Sequence, residues 1–313
     1  MKHATALALF LALATLLLFM SAPARAGNPP IPPDIQDGIQ KMYSGDPDAA
    51  VASFRKFQVS DPQNPLGFLM EAEATYWKMY CNALSVRYEM PDVWSRSRQP
   101  ADDQYLALAD KSISLAISAY SKHDSADMHL YAGLGYAVKA RYFSMSNEHK
   151  AIARTGVKAR EEFLKAIHLD PEMSDAKTGL GLYNYYVDTL PDIVKLLRLI
   201  MGIPGGNKRE GIEQLREGID GKGITSEEAR FYLAKNLRNY DHQYDLAAAI
   251  VSPLAKQFPQ NPIFLLLLGN LNAEQGHKDE ARNSYRAVQK LQIPDPDCAK
   301  NAQQIASLFL NTL

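Results

Sequence analysis

Two junctions in distant parts of the chain read almost alike: Asp61-Pro62-Gln63-Asn64-Pro65 and Phe258-Pro259-Gln260-Asn261-Pro262. A third, Asp170-Pro171-Glu172, is similar. Each follows an amphipathic segment built on one spacing: a small residue, a larger apolar residue four later, then another apolar residue three after that. The instances are Ala50, Phe54, Phe57; Ala159, Phe163, Ala166; and Ala247, Val251, Leu254, each small residue standing twelve positions before its proline. Steps of four and three keep these side chains on one helix face, and the proline then ends the helix. Such a unit cannot bury its apolar face alone, so it must stack on copies of itself. The spacing therefore predicts an all-α chain of stacked helical pairs.

These residues resemble the tetratricopeptide repeat, a 34-residue helix–turn–helix with a small residue, an aromatic and a closing proline at those offsets. In 262–294, Leu268-Gly269 fall in the first helix, Gly276 at the turn, and Ala281 and Tyr285 in the second. The 31–64 segment matches through Gly38, Gly45, Ala50, Phe54 and Pro62. The resemblance implies a right-handed solenoid of about six helical pairs over 34–313, with small residues at the helix crossings. Spacing locates the irregularities. Pro62 to Pro171 is 109 residues, accommodated by two lengthened pairs, 65–90 with 101–120 and 126–145 with 147–169. Pro171 to Pro259 is 88, two repeats plus twenty, which places an extra apolar helix at about 188–203. That helix is expected to pack Ile193, Leu196, Leu197 and Ile200 onto the solenoid. Asp295-Pro296-Asp297 starts a capping helix over about 296–312, and Thr225-x-x-Glu228 reads as a capping box opening the fifth pair. Residues 179–211 also resemble the middle of the inclusion-body clearance family, which includes the tetratricopeptide repeat protein 39 group. That likeness implies a shared sub-architecture.

The start of the chain carries an address. Met1-Lys2-His3 precedes a 17-residue apolar run, Ala4 to Met20, followed by Ala24-Arg25-Ala26. This is the layout of a signal peptide cleaved after Ala26, leaving a Pro-rich leader over 27–33. A periplasmic or secreted protein is expected, with no transmembrane anchor after cleavage. Removing Lys2 and Arg25 takes Lys+Arg from 34 to 32 against 35 Asp+Glu, a formal charge of −3. No basic excess suits nucleic acid, and none is expected as a partner. In an extended solenoid Cys81 and Cys298, 217 residues apart, are too distant to bridge and read as two buried small hydrophobes.

Chemistry is sparse. His123-Asp124-x-x-Asp127-x-His129 matches no standard metal spacing and reads as a polar turn. Gly202-x-x-Gly205-Gly206 lacks the strand and the Gly-Lys-Ser/Thr ending of a phosphate loop and reads as a helix C-cap. No nucleophile motif occurs, so no enzyme activity, cofactor or metal is expected. Binding is the remaining role. The resemblance implies that the first helix of each pair lines a concave groove through fixed positions. In this chain those positions hold Tyr136 and Lys139 in the third pair, and Tyr185 and Tyr186 in the fourth. Tyr232, Asn236, Asn239 and Tyr240 follow in the fifth and Asn270 in the sixth. Tyr232 and Leu266 stand where a carboxylate clamp needs Lys, so recognition of a free C-terminus is not implied. The expectation is an exported scaffold that binds a protein or peptide. The alternative is a lipid- or small-molecule-binding component of an envelope transport pathway, which requires a closed apolar pocket.

Overall fold

A computed structural model describes residues 27–84 and 98–313. The signal segment 1–26 lies outside the described residues, and the helix expected over 65–90 ends at Asn82, with Ala83 as its C-cap. The described elements are all helical. The first four are α1 (Pro33–Tyr43), α2 (Pro47–Ser60), α3 (Pro65–Asn82) and α4 (Pro100–Tyr120). α5 (Ala126–Met145), α6 (His149–Leu169), α7 (Ser174–Thr189), α8 (Asp192–Ile200) and α9 (Lys208–Asp220) follow. The chain ends through α10 (Ser226–Asn239), α11 (Tyr244–Gln257), α12 (Pro262–Glu274), α13 (Lys278–Lys290) and α14 (Pro296–Thr312). They form six antiparallel pairs, α1/α2, α3/α4, α5/α6, α7/α9, α10/α11 and α12/α13, with α8 inserted in the fourth and α14 closing the end.

The twin junctions work as helix starts. Asn64 accepts a hydrogen bond from Leu66 N and Asn261 from Ile263 N, while Pro65 and Pro262 take the first helical position, where no N–H is needed. Asp46 and Asp295 cap α2 and α14 in the same way. The small-residue crossings are as tight as the repeat demands. A methyl group on Gly269 would lie 2.6 Å from the Tyr285 ring, and one on Gly38 would lie 2.2 Å from Phe54. Thr225 departs from the capping-box expectation. Its hydroxyl donates to Asp175 Oδ1 at 2.7 Å and Glu228 pairs with Arg141, so neither side chain is left to cap α10.

The main correction concerns closure. The superhelix returns on itself, so the N-terminal pairs meet the C-terminal ones. Asn261 Nδ2 donates to Tyr43 O at 2.9 Å, and Asn301 Nδ2 to Asn82 O at 2.8 Å. Tyr43 packs against Phe258 and Phe264, and Trp77 against Phe231 and Phe264. Cys81 at the end of α3 and Cys298 at the start of α14 are therefore not separate buried thiols. Their Cα atoms are 5.0 Å apart and the sulfurs form a disulfide. Sequence distance misleads here because it measures an extended stack, whereas a curved stack brings distant repeats together.

Candidate functional site

Closure decides what the inner face can offer. The first helices of the pairs turn their side chains toward the superhelix axis, and aromatic rings fill that space. Tyr76 and Tyr232 share a hydroxyl–hydroxyl hydrogen bond of 2.9 Å across the axis. Beside them Arg141 on α5 pairs with Glu73 on α3 and, at 2.6 Å, with Glu228 on α10, while its guanidinium lies 4.4 Å from the Tyr76 ring centre. Burial pushes the Glu228 carboxyl up to about 7; Arg141 pulls it down, and Glu73 and Asp175 push it up. Burial works against the Arg141 charge, yet Glu228 and Glu73 hold its pKa well above the ordinary range. Three inner helices are thus tied by one buried ion cluster. The sequence holds only a weak signal for it: Glu71 and Glu73 both fall within Met70–Trp77, and nothing in the pattern marks Glu73 as the one that pairs across helices.

The nine expected groove residues do not share one open surface. Tyr185, Tyr232, Asn236 and Asn270 are buried, which corrects the expectation of a groove open along the whole inner face. Tyr136 and Lys139 are half-buried and stand apart, under Lys158 and paired with Asp110 respectively. The structure does bring Tyr185, Tyr186, Asn236, Asn239 and Tyr240 together where α7 and α10 end. Ring centres of the three tyrosines are 6.0 to 6.3 Å apart. Tyr186 donates to Asn236 Oδ1 at 2.9 Å, and Tyr185 donates to Asp241 at 2.7 Å, with the Asn236 carbonyl 3.1 Å away. Burial and the Asp241 hydrogen bond both raise the Tyr185 pKa. Tyr240 is exposed, and Tyr186 and Asn239 are half-exposed. Asn236 Nδ2 has no hydrogen-bond partner among the described residues, and neither does Asn270 Nδ2, whose Oδ1 accepts from Tyr285. A buried donor without a partner costs about 1–3 kcal/mol.

From this corner the chain leaves the solenoid. Asp188 accepts from Lys208 N at 2.9 Å and Lys208 Nζ pairs with Asp241 at 2.5 Å, fastening both feet of the excursion that carries α8. Gly202 has a φ of +67° and ends α8 as expected, with Gly202 N and Ile203 N donating to Leu199 O and Arg198 O. The expected packing of α8 is not found. Ile193, Leu196 and Ile200 are 64%, 53% and 73% exposed, Leu199 and Met201 are exposed too, and the Leu197 side chain lies outside the described residues. The physical reason is register: α7 and α9 cross backbone against backbone, Gly181 on Gly211, and leave no face for α8 to cover.

Two other features are structural. His129 is buried between Glu162 and Asp124, at 2.5 and 2.7 Å, and stacks on Tyr120. Among the described residues no group of three or more His, Cys, Asp or Glu side chains could hold a metal ion. A cavity at the seam, lined by Trp77, Asn261 and Cys298 among others, measures about 20 Å³. That is room for about one water molecule.

Fourteen described helices in stacked pairs, with small residues packed on aromatics at the crossings, define a tetratricopeptide-type solenoid. The tetratricopeptide repeat family model matches residues 239–296, the stretch from the end of α10 to the start of α14. Similar solved structures include TTC0263, a thermophilic tetratricopeptide protein of Thermus thermophilus, at 14% identity over 77% of this chain and 97% of that one, TM-score 0.42. YrrB, described as a tetratricopeptide protein with an unusual peptide-binding site, is 18% identical over 80% of this chain and 97% of its own, TM-score 0.36. The family match thus falls on the fifth and sixth pairs of a solenoid of the tetratricopeptide type.

Proposed function

We propose that this protein is an exported, non-catalytic scaffold that holds a protein partner at the α8 face and the adjoining tyrosine corner. The observation that carries this reading is α8 itself. Monomeric proteins seldom leave a contiguous row of large apolar side chains in water, and such rows mark contact surfaces. Here Ile193, Leu196, Leu199, Ile200 and Met201 stand exposed on nine helical residues and their C-cap, fixed to the solenoid at both ends. The corner adds what a peptide backbone needs: Tyr186 and Tyr240 as stiff amphipathic surfaces and the half-exposed Asn239 amide beside them, with buried Asn236 holding the Tyr186 hydroxyl in place. Tyr136, Lys139, Tyr232 and Asn270 then serve packing and the closed inner face.

A small-molecule carrier needs an enclosed apolar chamber; the 20 Å³ seam cavity is too small, and the 270 Å³ pocket beside His129 is open to solvent and bounded by Asp124, Lys165 and His168. Export rests on the Ala24-Arg25-Ala26 site after its apolar run. The test is a photo-crosslinking residue placed at Leu199 or Tyr240, compared with one at Arg286 on the far pair. A discrete protein adduct from the envelope fraction at the first two positions, and none at the third, supports the reading. No adduct at any position, with vesicle binding by the same protein, would replace the protein partner with a lipid surface.

A further inference from the structure

The first described residues, Gly27 and Asn28, are not a loose leader. Asn28 Nδ2 donates to Ser174 Oγ at 2.8 Å and to Gly221 O at 3.2 Å, and Asn28 Oδ1 accepts from Asp175 N at 2.9 Å. One side chain thus spans the start of α7 and the end of α9. Beside it Gly27 N lies 3.2 and 3.4 Å from the two carboxylate oxygens of Asp170, at the turn between α6 and α7. Asp170 is 7% exposed, and no Lys, Arg or His side chain among the described residues pairs with it. A carboxylate this buried is costly unless a positive charge reaches it. The fold supplies hydrogen bonds to it, from Gly27 N and from Glu172 N at 3.1 Å, but no cation.

Gly27 is also the residue that cleavage after Ala26 makes the first of the chain. We propose that Asp170 is a built socket for the processed N-terminus: the α-ammonium of Gly27 is the missing cation, and signal removal converts an amide hydrogen bond into a buried ion pair. The inference rests on the export reading. The step itself is hydrolysis of the Ala26–Gly27 peptide bond by signal peptidase with one water molecule. The C–N bond breaks, Ala26 keeps the carboxylate, and the freed amine of Gly27 takes up the proton. A charge-assisted hydrogen bond is about twice as strong as a neutral one. The new end therefore seals the leader onto the fourth pair only once the signal has gone.

The experiment uses the exported protein with its native end and the same protein acetylated at that end, which keeps one N–H but removes the charge. N-terminal sequencing comes first. A start at Gly27 upholds the export reading, a start at Met1 overturns export and socket together, and a start at any other residue overturns the socket alone. Hydrogen exchange of 27–32 is then followed by mass spectrometry in wild type and in Asp170→Asn, which keeps the acceptor of the Glu172 turn. The socket predicts that acetylation speeds exchange roughly fivefold to tenfold in wild type and less than twofold in the variant. A start at Gly27 with equal acetylation effects in both proteins overturns the socket and leaves export standing. Should Asp170→Asn fail to fold, the wild-type comparison decides alone: unchanged exchange on acetylation overturns the proposal.

Discussion

α12 and α8 both carry rows of large aliphatic side chains, Pro262–Leu268 and Ile193–Ile200, and the fold uses them in opposite ways. α12 is buried from Pro262 through Leu267, touching its own partner helix, the neighbouring α10 and α11, and the first pair across the seam. α8 is exposed along the same kind of sequence. Apolar composition does not decide burial in a repeat protein; a place in the stacking register does. A helix in register has neighbours on three sides, whereas one inserted between the two helices of a pair has only its anchors.

The sharpest way to break that comparison is a matched pair of truncations. Phe264→Ala on α12 removes a fully buried ring and is expected to cost about 3–5 kcal/mol. Leu199→Ala on α8 is expected to stay within about 0.5 kcal/mol. Denaturant unfolding of both variants measures the contrast, and equal losses would mean that α8 is packed after all. Arg141→Ala tests the axis and should cost a similar 3–5 kcal/mol, because it strands Glu73 and Glu228 in a dry interior.

Next comes the seam. Cys81→Ala with Cys298→Ala, or reduction of the native bridge, is expected to lower stability by about 2–4 kcal/mol while the helical content holds. The smallest effect is a pH slope. The folded pKa of Glu228, about 7, lies above its ordinary 4.5, so the folded state keeps the proton longer. Its contribution is complete below pH 4.5 and is lost as pH rises through 7. Glu228→Gln should therefore flatten the stability profile between those values, by about 1–3 kcal/mol relative to wild type. An unchanged profile would show that Glu228 has the same pKa in the folded and unfolded states.

Most of the local architecture was legible in the sequence. The Asn-Pro starts, the Gly269–Tyr285 crossing, the extra helix and the capping helix all follow from short-range rules, and the structure has them. What sequence spacing could not carry was the sum of small rotations between pairs, which closes the stack. That sum joins Cys81 to Cys298, buries Tyr232 and Asn270, and gathers Arg141 with Glu73 and Glu228. Of the expected site, only Tyr186, Asn239 and Tyr240 stay together near the surface, since they sit at helix ends that the axis does not swallow. The exposure of α8 escapes sequence reasoning because amphipathic spacing identifies an apolar face without naming its neighbour.

Peptide mapping of the non-reduced protein, purified from an oxidising compartment with free thiols blocked at lysis, tests closure most directly. The account predicts one linked species joining the Cys81 and Cys298 peptides, with no blocked cysteine at either position. Quantitative blocking of both cysteines would contradict it.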